Sequence, residues 1–268
     1  MRLSGSPVMT SALLDQYFYR IGVTNVGRAD AETLRRLHSA HVAAIPFENL
    51  AILSGQRVSL ALDDLVAKLV VGRRGGYCFE QNTLFLAVLR ELGFHVTPME
   101  ARVRAGSTAL RPRTHMVLAV RLGEQQWLAD VGFGGEGPFE PVALDGAPSV
   151  ATAGVTHRVI RAEDLFVLQG QRNAGWEDQY AFAFQAIHPV DFEMANWFTS
   201  TYPQSPFLHT LTAQRTTHDV RYILRYPMFT ELRASGILSR DITRAELLPL
   251  LREIFLIDLA EDKFEMGP

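Results

Sequence analysis

One cysteine, Cys78, is present in 268 residues. A single thiol excludes an intrachain disulfide framework and any metal site needing two thiolates, so cysteine chemistry here means one thiol or none. Charge of one sign is equally scarce. The 26 Lys and Arg stand against 29 Asp and Glu, a formal charge of −3, which leaves no basic excess to hold a polyanion. Long apolar runs are also missing. The longest, such as residues 65–71 with Lys68 inside, fall far short of the ~20 residues of a membrane helix, and the opening MRLSGSPVMT has no signal-peptide hydrophobic core. The expectation is a soluble, cytoplasmic protein that engages neither nucleic acid nor membrane. No internal repeat or low-complexity tract interrupts it, and at this length, with 47% hydrophobic residues, a buried core and about two domains are expected.

The first ninety residues read as helical. SALLDQYFYRIG places Leu14, Tyr17 or Phe18, and Ile21 at helical spacing before Gly22. In DAETLRRLHSAHV, Asp30 is the expected N-cap, and Leu34, Leu37 and His41 share a stripe that Pro46 ends. SLALDDLVAKLVVG gives a third helix, with Ser59 as its cap and Gly72 at its end. A fourth runs from Cys78 to Leu92, with Phe85 and Leu89 on its apolar face and Gly93 beyond it. From Val96 to Phe184 short alternating β-branched and aromatic segments take over, among them MVLAVRL, QQWLAD, HRVIRA and LFVLQG. WFTSTYPQSPF reads as an irregular linker or site loop. DVRYILRY then reads as a strand, followed by a helix with a Thr243/Glu246 capping box and Pro249 inside it.

MVLAVRL and QQWLAD make a hairpin if Gly123-Glu124 forms the two-residue turn, because glycine suits the first central position of a type II′ turn. Leu122 then pairs with Gln125. In that register Val117 faces Asp130 and His115 faces Gly132, so His115 and Asp130 are diagonal neighbours roughly 7 to 8 Å apart at the backbone. Gly132 leaves room beside the imidazole for a third group. Cys78, behind RRGG at a helix start, fits that place, since the helix dipole and free amides there favour a thiolate. A lone buried cysteine is commonly a small hydrophobe, and His115 or Asp130 alone reads as structural. The hairpin register is what joins them into a nucleophile, a base and an orienting carboxylate. Two other features point elsewhere. His38 and His41 are three apart on one helix but lack a third metal ligand, so packing explains them. GFGGEG at 132–137 imitates a dinucleotide fingerprint, yet PFEP follows where a helix is needed; a tight loop or an amide nest for an anion remains.

With these residues in order, the sequence resembles the arylamine N-acetyltransferases of prokaryotic type. IPFENL at 45–50, RRGGYCFEQN at 73–82, THMVL at 114–118, DVGFGG at 130–135 and STYPQSPF at 200–207 are similar to that family's signature segments. The resemblance implies an α+β, three-domain fold with a core like papain and transglutaminase enzymes: a helical bundle over 1–93, a β-barrel over 94–200 and an α/β lid over 201–268. It implies acetyl-CoA as co-substrate, no metal, and acetyl transfer to aromatic amines or hydrazines by a ping-pong cycle through acetyl-Cys78. His115 would be general base and acid, and Asp130 would orient it. Thr114, Gly132, Phe133 and Gly134 match positions near the coenzyme, Phe133 and Phe207 match acceptor-pocket positions, and Arg74 and Glu48 match a structural ion pair. Such an enzyme serves xenobiotic metabolism, works on small molecules and has room for a homodimer.

Two rival readings share the nucleophile. An amide synthase of the same family would use the triad to close or release a polyketide or carrier-bound chain. A thiol hydrolase would pass the acyl group to water; the papain-type signature around cysteine is absent, and the Cys-to-His separation is much shorter than in that group.

Overall fold

The computed structural model describes residues 9–107, 109–172, 175–257 and 259. The first eight residues, read above for signal-peptide character, lie outside them, as does the stretch 260–268 of the last expected domain. Helix α1 (Ser11–Ile21) begins with the Thr10 hydroxyl accepting from the Leu13 N–H and ends at Gly22 in the left-handed conformation, which glycine adopts without a Cβ penalty. In α2 (Ala31–Ala44) the Asp30 carboxylate accepts the Thr33 N–H at 2.9 Å, as the capping pattern predicts. A two-residue strand β1 (Phe47–Glu48) and a single turn α3 (Leu50–Leu53) follow.

The third expected helix is shorter than the sequence suggests. α4 covers Leu62–Leu65 with Ala61 at its N-cap, and Val66–Val71 continues it as a π-helix. Ser59 is not the cap: its hydroxyl donates to Asp64 at 2.6 Å and accepts from the Ala61 N–H at 3.2 Å, closing a turn ahead of the helix. Helix α5 (Cys78–Glu91) starts at the cysteine, as read. Leu34, Leu37, Leu69, Phe79, Phe85 and Leu89 are fully buried between these helices and share one core with Met116, Leu118 and Val120 of the following sheet. Side chains of this size stabilise by roughly 1.5–3 kcal/mol each when withdrawn from water.

That sheet is antiparallel and has seven strands: β2 (His95–Val103), β3 (His115–Leu122), β4 (Gln125–Ala129), β5 (Val142–Ala143), β6 (Thr156–Ala162), β7 (Leu165–Gln171) and β8 (Trp176–Phe182). Their order is β5-β4-β3-β2-β8-β7-β6, and β5 lies against β6, so the sheet nearly closes on itself as a barrel. β3 and β4 pair in the register the hairpin arithmetic gives, from Leu122 with Gln125 to Leu118 with Ala129, and Gly123 takes a positive φ of 60°. Regular pairing stops there, one residue before Asp130.

WFTSTYPQSPF is less irregular than it reads. α6 (Pro189–Thr201) takes its first five residues, and Pro206–Leu208 forms a 3-10 turn. The Thr199, Ser200 and Thr201 hydroxyls donate to the carbonyls of Ala195, Asn196 and Trp197, one turn back, so residues that usually compete with a helix are absorbed by it. A second antiparallel sheet combines β1 with β9 (Thr212–Thr216), β10 (Val220–Arg225), β11 (Met228–Arg233) and β12 (Gly236–Asp241), in order β1-β9-β10-β11-β12. Helix α7 (Arg244–Glu253) is the last regular element among the described residues. Glu246 accepts the Thr243 N–H at 2.8 Å in the expected capping arrangement, and Pro249 sits within the helix.

Candidate active site

The cysteine segment is shaped by main-chain pairing. The Glu48 N–H donates to the Gly76 carbonyl at 3.0 Å and the Gly76 N–H to the Pro46 carbonyl at 3.3 Å, which fixes the RRGG run against the IPFENL run. A Cβ on Gly75 would stand 2.2 Å from the Pro46 oxygen, so no other residue permits this approach. Arg74 and Glu48 join the same two runs by an ion pair of 2.7 Å, with Glu48 fully buried. Just before α5, Glu80 accepts the Tyr77 N–H at 3.1 Å and, through its other oxygen, the Lys68 ammonium at 2.7 Å. Cys78 is thereby held at the first position of α5, buried, with its Sγ 3.7 Å from the Thr114 carbonyl.

His115 opens β3 and Asp130 follows the end of β4. Beyond the last ladder pair their side chains meet: His115 Nε2 lies 2.7 Å from Asp130 Oδ2, and both groups are buried. With Nε2 engaged, Nδ1 is the ring nitrogen that can serve the Cys78 sulfur. Burial alone would lower the His115 pKa; the Asp130 carboxylate, by its charge and hydrogen bond, and the Cys78 sulfur raise it to about 10. Burial pushes Asp130 upward, and the His115, Asn82 and Tyr180 contacts outweigh it and bring its carboxyl below the usual range. Both shifts run toward the charged pair, an imidazolium against a carboxylate.

Asp130 is held on all sides. Oδ1 accepts from Asn82 Nδ2 at 2.9 Å and from the Gly132 N–H at 3.0 Å, and Oδ2 accepts from the Tyr180 hydroxyl at 2.8 Å as well as from His115. Gly132 is where the sequence left room. A Cβ there would lie 2.7 Å from the Cys78 Cα and 2.9 Å from Asn82 Nδ2, so the space is filled by the backbone of α5 itself. Phe133 packs edge-on over the His115 ring at 5.1 Å and over Tyr180 at 5.0 Å. Gly134 lies under the Phe47 ring, and Phe47 in turn faces Phe207 at 6.0 Å, while Phe207 meets Tyr77, the neighbour of Cys78, at 5.8 Å. The expected residues therefore gather in one aromatic-lined cluster beside the Cys78 segment. Phe47, Asn82 and Tyr180 join it without having been singled out.

The glycine loop is fastened through its carbonyls. Gln214 donates to Gly134, Arg221 to Gly135 and Gly137, and the His157 ring bonds the Glu136 carbonyl. Beside it a cavity of about 450 Å³ opens between the two sheets, lined by Arg172, Arg225, Glu136 and Glu177 among others. Among the described residues, no group of three or more His, Cys, Asp or Glu is placed to hold a metal, and His38 and His41 each bond to protein partners.

A thiol, an imidazole and a carboxylate in this order make an arrangement suited to thiol-dependent acyl transfer. A family model described as N-acetyltransferase matches residues 30–264. The arylamine N-acetyltransferase of Escherichia coli is 40% identical over 208 residues, 77% of this chain and 74% of the relative. The solved arylamine N-acetyltransferase of Salmonella typhimurium superposes with a TM-score of 0.88 at 33% identity, covering 95% of this chain and 97% of that one. The Mycobacterium marinum enzyme, solved in complex with CoA, does so at 0.88 and 34% identity, covering 95% and 96%. The chain belongs to the arylamine N-acetyltransferase family.

Proposed function

We propose that this protein transfers an acetyl group from acetyl-CoA to the nitrogen of an aromatic amine or hydrazine, with Cys78 as nucleophile, His115 as proton carrier and Asp130 as its orienting anion. The observation that carries the reading is the 2.7 Å bond between His115 Nε2 and Asp130, which fixes the ring so that Nδ1 is left to Cys78. With the cysteine proton already resting on His115 as an imidazolium, the Cys78 sulfur attacks the thioester carbonyl, and the C–S bond to CoA breaks as the imidazolium gives that proton to the departing thiolate. An amine then attacks acetyl-Cys78. His115, neutral after protonating CoA, accepts the amine's proton as the amide leaves the cysteine sulfur, which restores the starting imidazolium. Phe133, Phe207 and Phe47 offer an aromatic acceptor flat faces and offer water little, which favours aminolysis over hydrolysis. The donor would reach the sulfur along the glycine loop at Gly132 and Gly134 and past Thr114, from the cavity between the sheets.

The chemistry needs a reduced thiol, which suits the cytoplasm, and among the described residues no helix is long and apolar enough to cross a membrane. Foreign aromatic amines are the acceptor class we assign. Intact-protein mass after mixing with acetyl-CoA alone tests the reading: one acetyl group on Cys78, removed by an aromatic amine as N-acetyl product and absent from Cys78→Ser, is expected. An unmodified Cys78 in folded protein overturns the donor assignment and directs the test to carrier-bound thioesters. Acetyl loss to water at the same rate with and without amine makes the protein a hydrolase.

A further inference from the structure

His38 lies in α2, fully buried, and bonds to nothing but main chain. Its Nε2 is 3.0 Å from the Asp130 main-chain nitrogen, and its Nδ1 is 3.0 Å from the Phe139 carbonyl oxygen. A main-chain N–H only donates and a carbonyl only accepts, so Nε2 must be bare and Nδ1 must carry the hydrogen. The ring is neutral in one fixed tautomer, and the edge of Phe85 or His38 packs at 5.9 Å to keep it in place. The two groups it joins are the two ends of the glycine loop. Between them run Gly132, which seats the Cys78 backbone, and Phe133, which covers the His115 ring.

We propose that His38 is a positioning residue for acetyl transfer: by holding the Asp130 N–H and the Phe139 carbonyl at once, it sets the angle at which Asp130 meets His115. This rests on the function proposed above. The carboxylate of Asp130 is fixed by four donors, whereas among the described residues its main-chain nitrogen bonds to His38, so the backbone from which that carboxylate hangs is aligned by a ring 92 positions earlier in the chain. Burial, the dominant cause, lowers the His38 pKa to about 4, in keeping with a neutral ring.

Two substitutions separate the ends. His38→Gln can place an acceptor oxygen at the Asp130 N–H and gives up Phe139; His38→Asn can reach Phe139 and gives up Asp130. At a temperature where circular dichroism shows both folded, His38→Asn is expected to lower kcat by about tenfold or more with little change in KM for acetyl-CoA, and His38→Gln by much less. The His115 ring-proton NMR titration of the Asn variant is expected to move downward, toward the free imidazole. Equal kcat for the two variants, or a His38→Asn protein with wild-type kcat and His115 titration, overturns the assignment whatever happens to Tm. Should neither variant fold, nitrogen NMR of the wild type decides: an Nδ1–H ring at His38 is expected, and an Nε2–H or doubly protonated ring refutes it. If the wild type transfers no acetyl group, the proposed function has failed; the NMR measurements need no substrate and still judge His38.

Discussion

Both oxygens of Asp130 are saturated by donors, two on each, and this decides what substitution there does. Asn at 130 keeps one acceptor oxygen and turns the other into an NH₂ group facing two donors, so His115 loses both the charge that supports its imidazolium and the acceptor that fixes its tautomer. Asp130→Asn is expected to lower kcat by roughly three to four powers of ten with the circular dichroism spectrum unchanged. Steady-state kinetics check this, and a loss below tenfold makes Asp130 structural. Tyr180→Phe removes a single neutral donor, and a loss of about tenfold is expected, in line with one hydrogen bond to a charged group. Cys78, His115 and Asp130 were legible because a two-residue turn fixes a register and a register fixes a face. Asn82 left a weaker signal: it stands one helical turn after Cys78, the spacing that puts two side chains on the same face. Tyr180 left none, since nothing local tells which strand will lie beside β2.

Elements owe their positions here to close backbone approaches. Where β4 ends, the chain runs against the first turn of α5, and Gly132 permits it. Gly132→Ala is therefore expected to displace Cys78 and abolish acetylation of its sulfur while most of the fold survives; mass spectrometry after acetyl-CoA treatment reads the first effect and circular dichroism the second. The ion pair of Arg74 with Glu48 ties β1 to the cysteine segment in the same way. Arg74→Gln would leave a buried carboxylate with the Leu50 N–H, 2.7 Å away, as its remaining hydrogen-bond donor among the described residues, and a stability loss of about 3 kcal/mol in urea unfolding is expected. An unaltered midpoint would count against that role. The elements hardest to read were those whose local chemistry misleads. β1 has two residues and no period to detect, α4 passes into a π-helix, and the hydroxyl-rich end of α6 looks like a loop until its hydroxyls are seen bonding backward along the helix.

On the scale of the whole molecule, three histidine rings are buried and held toward the neutral form. His38, His41 and His157 come from the bundle and from β6, and burial, the largest cause for each, lowers their pKa values to about 4, 3 and 4. A base whose folded pKa lies below its unfolded value of about 6.5 binds its proton first in the unfolded chain, so stability falls as pH falls. Each contributes at most about 1.4 kcal/mol per pH unit between roughly 6.5 and 4, and together they give a slope of about 4 kcal/mol per unit. The triad pair does not offset this. His115, raised to about 10, contributes stability that is complete below about 6.5 and is lost as pH rises toward 10; Asp130, lowered, contributes fully above the usual carboxylate range and loses that contribution as pH falls from there to its folded value. Urea midpoints are thus expected to be highest near pH 6.5, to ease downward as pH rises above it and to drop steeply between pH 6.5 and 4.5. Replacing His41 with Phe, which forfeits its bonds to Tyr17 and Gln81 at 2.8 Å each, should lower the midpoint at pH 7 yet flatten the acid slope by about a third, the share of one histidine in three. A slope unchanged by that substitution would place the acid lability in the carboxylates instead.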